Sequence, residues 1–308
     1  MDISIMIEGQ NGLNWPRWQR IVRAVEDLGF YGLYRSDHFT NSQPPDLDSL
    51  ELWTSLTWLA GNTRRIHFGP LVSPVSFRHP AFTARMAAAV DDLSGGRLTL
   101  GMGAGWQERE HRNYGFDLLP PKPRFERFEE GLQVVQGLLT RDEPFTFNGK
   151  YFQLRDAILL PRPQRPGGPP LLIGGVGKNR TLPLVARYAA EWNALTQTPQ
   201  QFQALSAHLD ALLRENGRQP ADVRRSMMTV LIFGADRTAL AARMAARGSY
   251  TAAELKQRGM IVGTPTEIIE QLGVLAQAGV QGVMLQWLDL DDLAGLEALA
   301  KTVLPALS

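Results

Sequence analysis

The sequence predicts a single (β/α)₈ TIM barrel spanning residues 1–308, with a hairpin-containing insertion. Three observations carry this expectation. Short apolar runs alternate with helical patterns eight times, which implies a parallel sheet with right-handed crossovers. A length of 308 residues suits closure of eight such units into one domain. One segment breaks the alternation: apolar residues alternate about Asn148-Gly149 over 145–154, a hairpin signal, and a proline-rich stretch from Pro161 to Pro170 follows. A doubly wound open sheet is the alternative that shares the alternation.

Residues 3–7, rich in isoleucine, read as a buried strand. Residues 15–28 place Trp18, Ile21, Val22, Val25 and Leu28 at helical spacing, and Gly29 ends the pattern. A second strand covers 30–34 and runs into Arg35-Ser36-Asp37-His38. Asp48 or Ser49 can cap a second helix that reaches Leu59. Residues 66–72 read as the third strand and 79–93 as the third helix, with Pro80 in its first turn. Residues 97–102 form the fourth strand, leading into Gly103-Ala104-Gly105-Trp106, and 124–139 the fourth helix. Beyond the insertion, strands at 171–174, 191–195, 225–233 and 282–287 alternate with helices at 178–189, 199–216, 266–278 and 291–304. Further helical segments follow residue 233, to about Arg258.

Composition narrows the function. Basic and acidic residues nearly cancel, 32 against 31, so nucleic acid or an anionic membrane is not the expected partner. The absence of cysteine excludes disulfides, thiolate catalysis and cysteine-ligated metals. No histidine pair has metal-ligand spacing, so no metal is expected. The N-terminal residues carry Asp2 and no basic stretch, and no run approaches the roughly 20 apolar residues of a membrane span. A cytoplasmic protein is the expectation.

In a barrel the active site lies at the C-terminal ends of the strands. His38 is the one histidine at such an end; it reads as an acid or base, or as a structural histidine bonded to Asp37. Gly174-Gly175-Val176-Gly177-Lys178 follows a strand and opens a helix, which suits either a phosphate or a tight turn. Gly101-Met102-Gly103-Ala104-Gly105-Trp106 is no dinucleotide fingerprint, because the third glycine would fall at Trp106. It reads as a glycine-lined wall for a flat ring, bounded by Trp106. Glu108 and Glu110, interleaved with Arg109 and Arg112, read as a solvated charge cluster.

Taken in order, these segments resemble the luciferase-like flavin monooxygenases and deazaflavin-dependent oxidoreductases. The carriers are Ser36-Asp37-His38-Phe39, Ser73-Pro74, His79-Pro80, Leu93-Ser94-Gly95-Gly96-Arg97, and Gly101 to Trp106 with Glu110. They continue through Arg124, Arg127 and Glu130, Pro161 to Gln164, Pro170 to Gly175, and Ala186 to Asn193. The resemblance implies a ring lying across the mouth, against Gly103, Gly105 and Trp106. Leu71 and Val72 would support it from behind, with a non-proline cis peptide at Pro70–Leu71 or Leu71–Val72. Its phosphate would sit at Gly174, Gly175, Val176 and Gly177. His38, Asp37 and Glu110 become the candidate catalytic residues, Asp37 orienting the ring or the histidine. Asp37-His38-Phe39 with Gly105-Trp106 resembles the branch that uses the deazaflavin coenzyme F420, transferring hydride to or from a small organic substrate. The alternative is an FMN monooxygenase fed reduced flavin by a partner reductase, since no NADPH site is evident. A flavin-binding protein without turnover is a third reading. Trp106 stands where some deazaflavin members carry an acid, which argues against sugar-phosphate dehydrogenation. A homodimer is expected from the resemblance.

Overall fold

A computed structural model describes residues 1–246 and 248–307. Eight parallel strands form the barrel. They are Asp2–Ile7, Gly32–Arg35, His67–Pro70 with its continuation Ser73–Pro74, Leu100–Gly103, Leu171–Gly174, Glu191–Leu195, Arg224–Phe233 and Gly282–Gln286. Neighbours in space follow chain order, and the last strand pairs with the first through Asp2↔Gly282. The bridge Phe68↔Leu98 and the pair Ser73↔Met102 join the third strand to the fourth and complete the ring. The barrel is thus closed, not an open doubly wound sheet. The peptide Leu71–Val72 is cis and divides the third strand in two.

Alternation along each strand separates two apolar regions. In Asp2–Ile7, Ile3, Ile5 and Ile7 face outward into the layer between sheet and helices, where Trp18, Ile21 and Val25 of the helix Trp15–Asp27 meet them. Met6 instead points inward, joining Tyr34, Leu71, Leu172 and Met284 in a plug inside the barrel. Above the plug lies the mouth. Below it, at the N-terminal end, is a polar cavity of about 190 Å³ that includes Asp2, Tyr31, His67, Glu191 and Arg224.

Several boundaries differ from the sequence reading for local reasons. The second helix, Leu52–Asn62, starts after Asp48 and Ser49 because both are engaged elsewhere: Asn14 donates to Asp48, and Ser49 donates to the His38 carbonyl. Glu51 caps it, accepting from the Thr54 amide at 2.6 Å. The fourth strand begins at Leu100 because Arg97 is a buried tie, donating to the carbonyls of Ala60, Thr63 and Ile66. The hairpin strands Phe145–Asn148 and Gln153–Ala157 close on a longer turn than Asn148-Gly149 suggests, since Asn148 pairs with Gln153. Glu130 holds that turn, its carboxylate accepting from the amides of Lys150, Tyr151 and Phe152. The helix Thr181–Tyr188 starts three residues later than expected. After Phe233 come the helices Arg237–Ala245 and Ala252–Gln257 and a short strand, Ile261–Gly263; the helical expectation at residue 247 lies outside the described residues. No helix among the described residues is long and apolar enough to cross a membrane.

Candidate active site

The strands' C-terminal ends enclose a cavity of about 380 Å³, within the size range of small-molecule and cofactor sites. Its lining is mostly apolar and includes Leu71, Val72, Phe125, Leu195 and Met228, with Glu8, Ser36, His38 and Asn193 as polar exceptions. Of the residues the sequence singles out, His38, Leu71, Val72, Gly103, Gly105, Trp106 and Gly174 come together here.

His38 follows the second strand, and its position is fixed by a carboxylate from the connection after the fourth. The charge cluster at 108–112 is not wholly solvated: it lies on a short helix, Glu108–Tyr114, closed by Gly115 in the left-handed conformation (φ 73°). One turn of helix carries Glu110 inward while Glu108 and Arg112 stay outside. Glu110 is fully buried. One carboxylate oxygen lies 2.8 Å from His38 Nδ1, and the other accepts the Phe39 amide at 3.0 Å. Nδ1 therefore carries the proton donated to Glu110, and among the described residues Nε2 has no protein partner, on a side chain that lines the cavity. Trp106 stands edge-on to the imidazole, with ring centroids 5.5 Å apart.

Electrostatics separates the two histidines of this region. Burial alone would lower the His38 pKa, but the hydrogen bond and charge of Glu110, aided by Glu8 and Asp37, raise it above 6.5. His111 is lowered, chiefly by burial, and its ring is tied to Ser76 and the Gln107 carbonyl. His38 is thus the histidine held toward its charged form at the cavity.

Among the described residues Asp37 makes no hydrogen bond to the His38 ring. Its carboxylate accepts from Ser73 at 2.9 Å and from Arg78 at 2.5 Å, tying the second strand's end to the third's. Of the two roles the sequence suggests for Asp37, orienting the ring or the histidine, the contact to the histidine is made instead by Glu110.

The glycines at the mouth have a reason the sequence did not disclose. A Cβ on Gly103 would lie 2.6 Å from Val72 Cγ2, and one on Gly174 would lie 3.3 Å from Val72 Cγ1. These two glycines leave room for the Val72 side chain, beyond any ring above it. Gly105, by contrast, is needed for its backbone (φ +86°).

The turn at Gly174 to Gly177 is separated from the helix that begins at Thr181 by residues 178–180. Gly175 and Val176 stand outside the main cavity, with the Gly175 carbonyl accepting from Trp192 Nε1 at 2.7 Å. Gly177 lines an adjoining depression with Lys178, Asn179, Arg180 and Thr181, and Phe125 borders both spaces. Among the described residues, the amides of 176–180 have no protein acceptor. Free amides, a helix start and two cations make this a fitting place for an anion.

Two polar groups of the cavity were not assigned roles by sequence. Glu8, at the end of the first strand, accepts from Gln286 at 2.6 Å and Gln10 at 2.9 Å. Asn193, in the strand Glu191–Leu195, closes one of the segments that carry the resemblance but was given no role of its own. A mostly apolar mouth of this size, beside amides of 176–180 that lack an acceptor among the described residues, fits a planar ring with a phosphate tail.

Among the curated relatives, a 4-hydroxyprotoasukamycin monooxygenase of Streptomyces nodosus subsp. asukaensis is 33% identical over 58% of this chain. That match spans 47% of the relative, so the chain covers only about half of it. A 5,10-methylenetetrahydromethanopterin reductase of Archaeoglobus fulgidus is 25% identical over 93% of this chain and 94% of its own length. Among solved structures, an F420-dependent secondary alcohol dehydrogenase in complex with an F420-acetone adduct superposes with a TM-score of 0.85. It covers 100% of this chain and 99% of its own, at 19% identity, a likeness of fold. The family described as luciferase-like monooxygenase matches residues 1–259, and the chain belongs to that family.

Proposed function

We propose that the protein transfers hydride between the deazaflavin F420 and a small organic carbonyl or alcohol. The observation that carries the reading is the Glu110–His38 pair, which keeps a proton-bearing imidazole at the cavity with Nε2 free. F420, when bound, would supply or accept the hydride. His38 Nε2 would give a proton to the carbonyl oxygen as the carbon gains hydride, or take the hydroxyl proton in reverse. Glu110 acts through His38: it holds the Nδ1 proton and stabilises the charged ring. Leu71 and Val72 would support the ring, Gly174 and the free amides of 176–180 would hold the phosphate, and the apolar lining would exclude water.

The same residues suit an FMN monooxygenase supplied by a reductase, a reading favoured by the monooxygenase among the relatives. Oxygen distinguishes the two. With reduced F420 and a panel of aldehydes and ketones under anaerobic conditions, oxidised F420 should accumulate. The rate should fall by roughly 10²–10⁴ in His38→Ala. Product formed only when oxygen and reduced FMN are present would overturn the proposal.

A further inference from the structure

The polar cavity at the N-terminal pole of the barrel has no part in the chemistry of the mouth. The plug of Met6, Tyr34, Leu71, Leu172 and Met284 lies between the two. Its volume of about 190 Å³ is several times the roughly 30 Å³ that one water occupies in the liquid. Two guanidinium groups reach it, Arg224 from the seventh strand and Arg165 from the proline-rich exit of the insertion. Both side chains stay accessible, 32% and 30% exposed. Arg165 gives Nη2 to Asp91 and to the Gly96 carbonyl; its Nε and Nη1 have no acceptor among the described residues. Arg224 Nη2 donates to Asp2 at 2.6 Å, while its Nε stands 3.8 Å from the Glu191 carboxylate, beyond hydrogen-bond reach. Asp2 and Asp91 are thus each held by an arginine.

Two further groups report the character of the wall. Glu191 is the remaining acid, and burial raises its pKa, favouring the neutral form that donates a proton instead of repelling an anion. His67 stacks on Tyr31, with ring centroids 4.6 Å apart. Its pKa is lowered by burial first, and the cations Arg165, Arg97 and Arg224 push the same way, with Asp2 opposing. The potential at this wall is therefore positive, and spare guanidinium N–H groups face space that an acceptor can fill. We propose that this cavity is a second ligand site, which takes a small oxyanion held by Arg165 and Arg224. It depends on no reading of the mouth.

The test titrates the whole protein with sodium sulfate and, separately, sodium acetate, each against sodium chloride at matched ionic strength. NMR follows the His67 ring, its signals assigned by comparison with His67→Gln. At least one oxyanion should shift them saturably, with half-saturation at about 1–10 mM. It should also raise the His67 midpoint, because a bound anion favours the imidazolium. Arg224→Gln should weaken this binding about tenfold or more. Arg165→Gln, which leaves the barrel strands unchanged, should do the same and stands in if the first variant does not fold. Arg180→Ala, beside the mouth, should give the wild-type response, which separates this cavity from the anion place at 176–180. A response no larger than that to chloride, one undiminished in the arginine-to-glutamine variants, or one lost in Arg180→Ala would overturn the proposal and leave the reading of the mouth as it stands.

Discussion

A histidine buried beside a carboxylate is pulled two ways, and at His38 the carboxylate wins. Burial, the largest single influence, disfavours the imidazolium, but Glu110 together with Glu8 and Asp37 favours it more, and the pKa lies above 6.5. A folded pKa raised above its unfolded value stabilises the fold fully below about pH 6.5. That stabilisation is lost as pH rises through the folded value. Glu110→Gln removes the charge and keeps the burial, so the His38 midpoint, followed by NMR titration, should drop to 6.5 or lower; an unchanged midpoint would separate the two residues. Val72 sets a second constraint. Gly103→Ala should cost about 1–3 kcal/mol in chemical denaturation, because the new methyl meets Val72 Cγ2. Val72→Ala in the same chain should recover most of it, and additive losses would contradict the contact. His38 was legible as a site residue because it is the one histidine at a strand end. Its partner was harder to recognise: Glu110 lies 72 positions away and hides among charges that do face water.

Elements were read well where periodicity is strong and less well where a side chain from another element decides. The alternation in Asp2–Ile7 and the apolar face of Trp15–Asp27 are intrinsic to their segments. The start of the second helix is not: Ser49 and Asp48 are good caps by type, but His38 and Asn14 claim them. The hairpin shows the same effect. Asn148-Gly149 marks a reversal correctly, while the turn's length is set by Glu130, whose carboxylate gathers three amides. Glu130→Ala should therefore destabilise the insertion by about 1–3 kcal/mol. Limited proteolysis should then cleave within 142–160 before the barrel, and a cleavage pattern identical to wild type would contradict the role. The helix Glu108–Tyr114 was missed because seven residues dense in charge carry too little apolar periodicity to announce themselves.

At the scale of the whole molecule, closure of the ring is what makes a site from distant segments. Glu8, His38, Val72, Gly103, Gly174 and Asn193 come from six strand ends and meet only because the strands pair in chain order around a circle. The order of strands and helices was enough to anticipate that circle. The inner plug and the unpaired acceptor at Asn193 depend on which side chains share the barrel's interior, which strand order alone does not specify. The central claim is that this mouth holds a deazaflavin for hydride transfer. It is tested most directly by titrating the apoprotein in parallel with oxidised F420 and oxidised FMN and reading fluorescence. The expected result is saturable binding of F420 at least about tenfold tighter than FMN. Tighter binding of FMN would contradict it and assign the site to oxygen-dependent chemistry.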